Sequence, residues 1–501
     1  MPDRESLLIG KPNLSSWQRL ADGIEAKSSV FAIALAICFV LSSLIIATRR
    51  PLWFDEIMTV VIARASTIGD LLATFRLTVD QTPPLNALLV RFFSSLLGWT
   101  ELAARLPSTI VATAGLLILF HRVKKLTNGL FGLAAMSVLL VTFLPNYAYE
   151  ARPYALFFLA SVLSISLWTS IPDGSYGRSA RVRPVLFGLA VMLGALAHYY
   201  AVLLILPFCA EEARNRGLRR LVSVRLFCGI AGLGLGLAVQ FPFILGASRQ
   251  RILPFLGTPS SRALLGAYTE ILNQLVFALV CVVLVLTWLR SQTTVSVEKQ
   301  SAEERVGWFF LGIPIAGYVL AETVTRAFWP RYFIPMLAGL TLAFGCFLYR
   351  RYRNSPQVPM LIVLVTVVVF IGSAFNHIRN ARTPVVSWRT EEADFVDEML
   401  PRFAKDRRLF VVLPFGRSYL EARYYATNPQ MLRMLAPSNR PLWYRAENPL
   451  GIRYFSRDDL RQHGREAVLI SPSPSVLSDL ENFGFRVHWL MTQPVAVIYP
   501  E

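Results

Sequence analysis

The sequence predicts an α-helical polytopic membrane protein of about eleven crossings with a small α/β domain at its C-terminal end. Three observations carry that expectation. Of the 501 residues, 54% are hydrophobic and only 16% are charged, where soluble chains average about 25% charged. Ten apolar runs long enough for spans or half-spans punctuate the first three-quarters of the chain, a span needing about 20 such residues. After Phe375 the charged residues return and Val-rich runs alternate with amphipathic ones. A single-domain soluble enzyme is excluded.

The net charge of +18 would suit a nucleic-acid binder only if the basic residues formed a soluble face. They instead sit in short stretches between apolar runs, as the positive-inside rule places them, so nucleic acid is not an expected partner. All five cysteines (Cys38, Cys209, Cys228, Cys281, Cys346) lie in apolar segments without a CxxC pair. They read as small core hydrophobes rather than disulfides or zinc ligands.

Residues 1–29 form a polar tail with no cleavable leader pattern, so the first run, Val30 to Thr48, is expected to be a retained anchor. Between Arg49 and Ala104 the chain is too polar to span but carries amphipathic stretches near Ile57 to Phe75 and Leu85 to Leu97. Such stretches suit helices lying at the membrane surface, and residues 49–104 read as a structured first outer loop. Further apolar runs follow near 105–121, 128–146, 153–171, 184–210, 226–246, 269–289, 307–323, 332–349 and 358–376.

Four basic clusters mark the cytoplasmic side: Arg122/Lys124/Lys125, Arg178/Arg181/Arg183, Arg214 to Arg225, and Arg350/Arg351/Arg353. They share one side only if Pro184 to Ala210 crosses twice, as two half-helices meeting near His198, Tyr199 and Tyr200. The N-terminus is then cytoplasmic and the C-terminus extracytoplasmic. Arg49 and Arg50 flank the first span on the outer side and are outvoted by the later loops.

Residues 377–501 read as the outer α/β domain. Strands are expected at Leu409 to Leu413, Ala467 to Ser471, Arg486 to Met491 and Val495 to Tyr499, and helices at Glu391 to Phe403, Arg417 to Tyr425 and Ser475 to Phe483.

Chemistry-bearing residues gather on the outer side. The first outer loop opens with Leu52-Trp53-Phe54-Asp55-Glu56 and closes with Asp80-Gln81-Thr82-Pro83-Pro84-Leu85, followed by Arg105-Leu106-Pro107-Ser108. Taken singly, Asp55 and Asp80 could be helix caps, the prolines helix starters and Arg105 a snorkelling arginine. Tyr149-Glu150-Ala151-Arg152-Pro153-Tyr154, His198-Tyr199-Tyr200 and Pro330-Arg331-Tyr332-Phe333-Ile334-Pro335 fall on the same side in this topology.

Together these motifs resemble the GT-C membrane glycosyltransferases, in particular the family 39 group of protein O-mannosyltransferases and the aminoarabinose transferases of lipid A. The resemblance covers about residues 30–376, the membrane module. It implies a polyprenyl-phosphate-linked sugar as donor, and a protein, lipid or glycan acceptor on the extracytoplasmic face of a bacterial inner membrane. Asp55 is carried over as the general base, with Glu56 orienting the acceptor or tuning Asp55 through like-charge repulsion. The donor phosphate calls for arginines: Arg331 and Arg152 lead, with Arg105 and Arg326 behind them. Asp80, Glu150, Tyr154, His198 and Tyr332 complete the substrate-binding candidates.

Two departures stand out. Thr82 occupies the position before the prolines where the mannosyltransferases carry histidine and the aminoarabinose enzymes lysine, and no loop is long enough for the β-trefoil insert of eukaryotic O-mannosyltransferases. A lone histidine at a helix break is more often structural than a ligand, and no obligatory metal or cofactor is expected. The competing class is a transporter or flippase of lipid-linked sugars, in which intramembrane charges and broken helices also occur.

Overall fold

The computed structural model describes residues 16–77, 79–169, 178–216, 223–249, 259–291 and 300–381, with 410–413, 416–425, 430, 432–435, 454–455, 467–470, 478, 480–482, 485–489 and 495–500 at the C-terminal end. The chain enters through α1 (Ser16–Ala26) and spans through α2 (Ser28–Arg49). Three short helices make the first loop: α3 (Phe54–Ala63), α4 (Ile68–Arg76) and α5 (Leu85–Leu97). Thr67 caps α4 by accepting from the Asp70 amide while the Asp70 carboxylate accepts from the Thr67 amide, a reciprocal cap that explains why so short a helix starts there. Gly98 ends α5 at φ +89°, a conformation without cost only for glycine.

The bundle continues with α6 (Glu101–Leu126), α7 (Gly129–Leu139), α8 (Leu144–Ala148), α9 (Tyr154–Trp168), α10 (Arg178–Ala197), a 3-10 segment Tyr199–Leu204, α11 (Ile205–Arg216), α12 (Val224–Arg249), α13 (Ser261–Ser291), α14 (Ala302–Phe310), α15 (Ile313–Leu320), α16 (Pro335–Tyr352) and α17 (Gln357–Asn380). Six segments are long and apolar enough to cross a membrane among the described residues, and shorter apolar helices such as Gly129–Leu139 and Tyr154–Trp168 fill the bundle between them. The central packing layer is α6, α7, α9 and α16, whose residues Leu116, Leu119, Met136, Phe158, Leu337 and Phe344 are fully buried. Glycine sets the closest approach: a Cβ on Gly232 of α12 would lie 2.0 Å from the Gly188 carbonyl of α10, so these backbones touch as small-residue membrane pairs do.

One apolar run differs from the continuous span the sequence predicted. Residues 128–146 divide into α7 and α8, because hydropathy reports burial in an apolar medium and not continuity of the hydrogen-bond ladder, whereas 307–323 falls within one candidate span, Ala302–Thr325, with a turn between α14 and α15. The reversal near His198 is present, but α10 is a 20-residue helix starting at Arg178 rather than a half-helix from Pro184; the return is the 3-10 segment and α11. The helix carries Arg178, Arg181 and Arg183 in its own first turns.

Charge sorts to one end of the bundle. Lys124 donates to Ser28 and Ser29 at the start of α2, and the Arg122 guanidinium donates to the Thr169 carbonyl. Arg225 stacks over Trp168 and pairs with Glu212, Arg305 pairs with Glu211, and Arg350 with Glu304. Members of three of the predicted basic clusters thus meet in one ionic belt at the end opposite Asp55.

At the C-terminal end, β1 (Phe410–Leu413), β2 (Leu432–Leu435), β3 (Tyr454–Phe455), β4 (Ala467–Ile470), β5 (Phe485–Trp489) and β6 (Val495–Pro500) form one sheet in the order β3-β2-β1-β4-β6-β5. β1 runs parallel to β2 and β4, and β6 antiparallel to β4 and β5. Helix α18 (Gly416–Tyr425) follows β1. The strands β2 and β3 were not anticipated: Leu-Arg-Met-Leu has no β-branched residue, and a two-residue strand shows no period. The helix expected at Glu391 to Phe403 lies outside the described residues, as do the 475–483 helix positions other than 478 and 480–482.

α18 lies on the first loop. The Leu52 amide donates to the Tyr425 hydroxyl at 2.8 Å, and the Arg64 guanidinium sits between the Trp99 and Tyr424 rings at 5.2 and 5.3 Å. Tyr419 and Leu420 pack with Ile57, Val60 and Leu71 in a core separate from that of the bundle.

Candidate functional site

The first turn of α3 carries adjacent carboxylates, Asp55 and Glu56, where exposed helix amides and the macrodipole favour negative charge. Successive helical residues point about 100° apart, and the two acids have opposite environments. Glu56 is fully buried. Its Oε1 accepts from Arg105 Nε at 2.7 Å and the Ala151 amide at 2.8 Å; its Oε2 accepts from Arg105 Nη2 at 2.6 Å and the Trp53 amide at 3.1 Å.

Arg105 completes that knot. Beyond Glu56 it donates to the carbonyls of Ala47 at 3.0 Å, Arg50 at 2.5 Å and Pro51 at 2.8 Å. Ala47 and Arg50 lie where α2 ends and helix carbonyls lose their partners, so the guanidinium caps α2 while holding α3 and α6. Every N–H of Arg105 is engaged and both side chains of the pair are 0% exposed. The sequence suggested a phosphate ligand in Arg105 and an acceptor-orienting or tuning acid in Glu56; the geometry ties both into the framework.

A second buried pair lies beside it. Arg152 Nη1 and Nη2 contact Asp80 Oδ2 and Oδ1 at 2.7 and 3.3 Å, and Nη1 also reaches Thr59 Oγ1 at 2.9 Å and the Asp55 carbonyl at 3.2 Å. Asp80 Oδ1 accepts from the Thr82 amide and hydroxyl, turning the chain into the two prolines that open α5. Asn86 of α5 and Ser108 and Thr109 of α6 bond the carbonyls of Ala151, Arg152 and Ala148, and Glu56 of α3 accepts from the Ala151 amide, so the Tyr149–Pro153 turn is held from three helices.

Asp55 and Arg331 differ from both pairs. Their closest approach is 3.5 Å, and the side chains remain 17% and 26% exposed. The Arg331 guanidinium is caged by the rings of Trp53, Tyr154 and Trp329 at 5.6, 5.6 and 5.3 Å. Around it, Arg331 Nε, Trp53 Nε1, Trp329 Nε1 and Arg152 Nε are buried donors that find no acceptor among the described residues. Native interiors rarely leave such groups unsatisfied. Partly open Arg331 and the three other orphan donors can receive an anion.

Behind the cage, Tyr154, His198, Tyr200 and Tyr332 pack as an aromatic cluster, with His198 4.8 Å from Tyr332 and 5.9 Å from Tyr154 by ring centroid. His198 stacks on Phe157 at 5.2 Å and 10°, and its Nδ1 accepts from the Tyr200 amide at 3.2 Å, capping the 3-10 turn at the break. Among the described residues no group of three or more His, Cys, Asp and Glu side chains is gathered for a metal ion. Glu150 sits in the held turn, where burial, and then the charge of Glu56, push its carboxyl up to about 7.

The site thus joins Asp55, Glu56, Asp80, Arg105, Arg152, Tyr154, His198, Arg331 and Tyr332 through consecutive contacts, with Glu150 in the adjoining turn. Arg326 stands apart, adopting a left-handed φ of 53° and pairing with Glu322 at 3.5 Å with its side chain 63% exposed. Sequence reasoning did not single out Trp329, or Trp53 and Thr59, as site residues. The signal for Trp329 was available in Trp329-Pro330-Arg331-Tyr332, an arginine bracketed by aromatics.

The bundle, the three-helix loop and the C-terminal sheet define a polytopic α-helical membrane protein with a small α/β domain. The chain is similar to the crystal structure of ArnT from Cupriavidus metallidurans bound to undecaprenyl phosphate, with a TM-score of 0.61 and 14% identity over 94% of this chain and 97% of that one. The apo state of the same protein aligns with a TM-score of 0.60, 14% identity and the same coverage. No protein-family model and no curated protein matches the sequence.

Proposed function

We propose that the chain is a glycosyltransferase that moves a sugar from a polyprenyl-phosphate-linked donor to an acceptor on the extracytoplasmic face of a bacterial inner membrane. The observation that carries the reading is the contrast among three acid–arginine pairs. Two are closed and buried, whereas Asp55–Arg331 is loose, partly open and ringed by orphan N–H donors. The ArnT structure with undecaprenyl phosphate supports a lipid phosphate as the anion.

The acceptor hydroxyl gives its proton to the Asp55 carboxylate as its oxygen bonds the anomeric carbon. The bond from that carbon to the phosphate oxygen breaks with its electron pair, so the lipid leaves as a phosphate bearing one further negative charge. Attack opposite the leaving group inverts the anomeric configuration. A positioned base contributes about 10² to 10⁴-fold. Arg331 stabilises the growing phosphate charge, and donors already fixed need no reorganisation as it develops. Glu56–Arg105 and Arg152–Asp80 position Asp55 from either side of α3, and none of these steps calls for a metal. The basic belt at the opposite end supports a cytoplasmic location for that end.

The test is Asp55→Asn in purified, membrane-reconstituted protein. Transfer falls by at least about 10²-fold while melting temperature and binding of undecaprenyl phosphate persist. Retained transfer removes Asp55 as base; lost transfer with lipid flipping intact favours the flippase alternative.

A further inference from the structure

α13 is a candidate span, yet it carries Glu270, Asn273 and Gln274, which line one hollow. All three are exposed, and among the described residues none finds a protein partner for its side chain. Asn273 breaks the helix at φ 62° and ψ 146°, and the Ile271 carbonyl freed nearby accepts from the Phe143 amide at 3.0 Å, in the turn between α7 and α8. Broken helices and ionisable residues inside a bundle are costly and mark places where a polar ligand sits.

These side chains face a hollow of about 410 Å³, whose far walls come from α2, α8 and α17, within the roughly 300 to 1,000 Å³ of small-molecule sites. Ser43, Asn146, Tyr149 and His377 line it opposite α13. Tyr149 bonds Asn146 and lies 3.4 Å from His377 Nδ1, so part of the wall is preorganised. Among the described residues no arginine or lysine lines the hollow. One carboxylate, Glu270, among the neutral donors and acceptors of the described lining disfavours phosphate and suits a hydroxyl-rich ring, neutral or amine-bearing. Phe143 and Phe370 supply faces for the ring's C–H groups.

Its depth and neighbours tie it to the site. Ser43 precedes the last residue of α2 by six positions, about 9 Å along the helix, and His377 is three residues from the end of α17, so the hollow lies toward the Asp55 end of the bundle. Phe143, Tyr147 and Tyr154 form a column with centroids 5.2 and 5.1 Å apart, leading from its wall to the ring over Arg331.

We propose that this hollow is a saccharide-binding subsite for the sugar head of a lipid-borne molecule entering between α13, α2 and α17. As part of a transferase it rests on the function proposed above, but sugar binding is measurable without turnover. Two photoreactive probes test it on the full chain in nanodiscs: a diazirine-bearing dodecyl β-glucoside and a matching dodecyl phosphate.

The glucoside is expected to label peptides spanning 270–274 and 143–149. Glu270→Gln should lower that labelling about tenfold by turning a charge-assisted hydrogen bond into a weaker neutral one, and Ser43→Phe should lower it by filling the space. The phosphate should label around Arg331 equally in both variants, which also reports their folding. Glucoside labelling of the hollow indifferent to both variants, or phosphate labelling it as strongly, overturns the proposal. Phosphate absent from Arg331 in the unmodified protein, with glucoside labelling intact, instead defeats the transferase reading and leaves the subsite standing. Competition by farnesyl-phosphate-linked glucose assigns the donor's sugar to the hollow; competition by free alkyl glucoside alone assigns the acceptor's.

Discussion

Replacing Arg105 by alanine removes the side chain that joins α2, α3 and α6. The structure sets the scale. Arg105 and Glu56 are both 0% exposed at 2.6 Å, and deleting one partner of such a pair costs about 3 to 5 kcal/mol because the other charge stays buried. The carbonyls of Ala47, Arg50 and Pro51 lose a donor as well, about 1 to 3 kcal/mol for each that water cannot reach. Arg105→Ala is therefore expected to lower unfolding stability by at least about 4 kcal/mol, read from thermal or denaturant melting in one detergent. Arg105→Lys should recover little, since a single ammonium cannot meet both carboxylate oxygens and three carbonyls. In a double-mutant cycle, Glu56→Gln with Arg105→Met should cost clearly less than the sum of the singles. If Arg105→Lys melts within about 1 kcal/mol of the unmodified protein, below the expected cost of a lost buried pair, and raises KM for the lipid donor, the framework role is wrong and the phosphate role returns.

Arg331→Ala is expected to weaken undecaprenyl phosphate binding with little loss of stability, because its partner Asp55 is partly exposed; Arg331→Lys should rescue binding only in part, and unchanged binding in Arg331→Ala would exclude it as the phosphate clamp. Glu150 provides a pH test. Its folded carboxyl titrates near 7 and its unfolded one near 4.5, so the folded state holds the proton more tightly. Its favourable contribution is complete below about 4.5 and disappears as pH rises to about 7, by on the order of 3 kcal/mol for the buried group. Glu150→Gln should flatten that part of the stability–pH curve, and an identical slope in the variant refutes the assignment. Tyr425→Phe removes the acceptor of the Leu52 amide and should speed hydrogen exchange at Leu52 and the start of α3 without unfolding the bundle; unchanged exchange would mean that α18 does not hold the loop.

Much of the architecture was legible in sequence because it rests on local or periodic signals. Apolar runs located α2, α6, α9, α12 and α17, and the basic clusters sorted the two ends. Amphipathic stretches located α3 to α5, and β-branched runs marked β1, β4, β5 and β6. The Asp-Glu, Asp-x-x-Pro-Pro and Arg-Leu-Pro-Ser motifs located the neighbourhood of the site, since caps and helix starts are written in a few adjacent residues.

The division of labour among the charges was not legible there. Arg105, Arg152 and Arg331 all stand near helix starts on one face, and Asp55 and Glu56 are adjacent in sequence. Partners 49 and 72 residues away bury Glu56–Arg105 and Arg152–Asp80, while Asp55 and Arg331 are left partly open. The break at Asn273 was equally hidden, since the amide that receives the Ile271 carbonyl comes from Phe143 in another helix pair. Local pattern decides which residues can form helices and reach the membrane boundary. Only packing decides which charge is desolvated and paired and which keeps room for a ligand, because burial and hydrogen-bond satisfaction depend on groups brought together from distant parts of the chain.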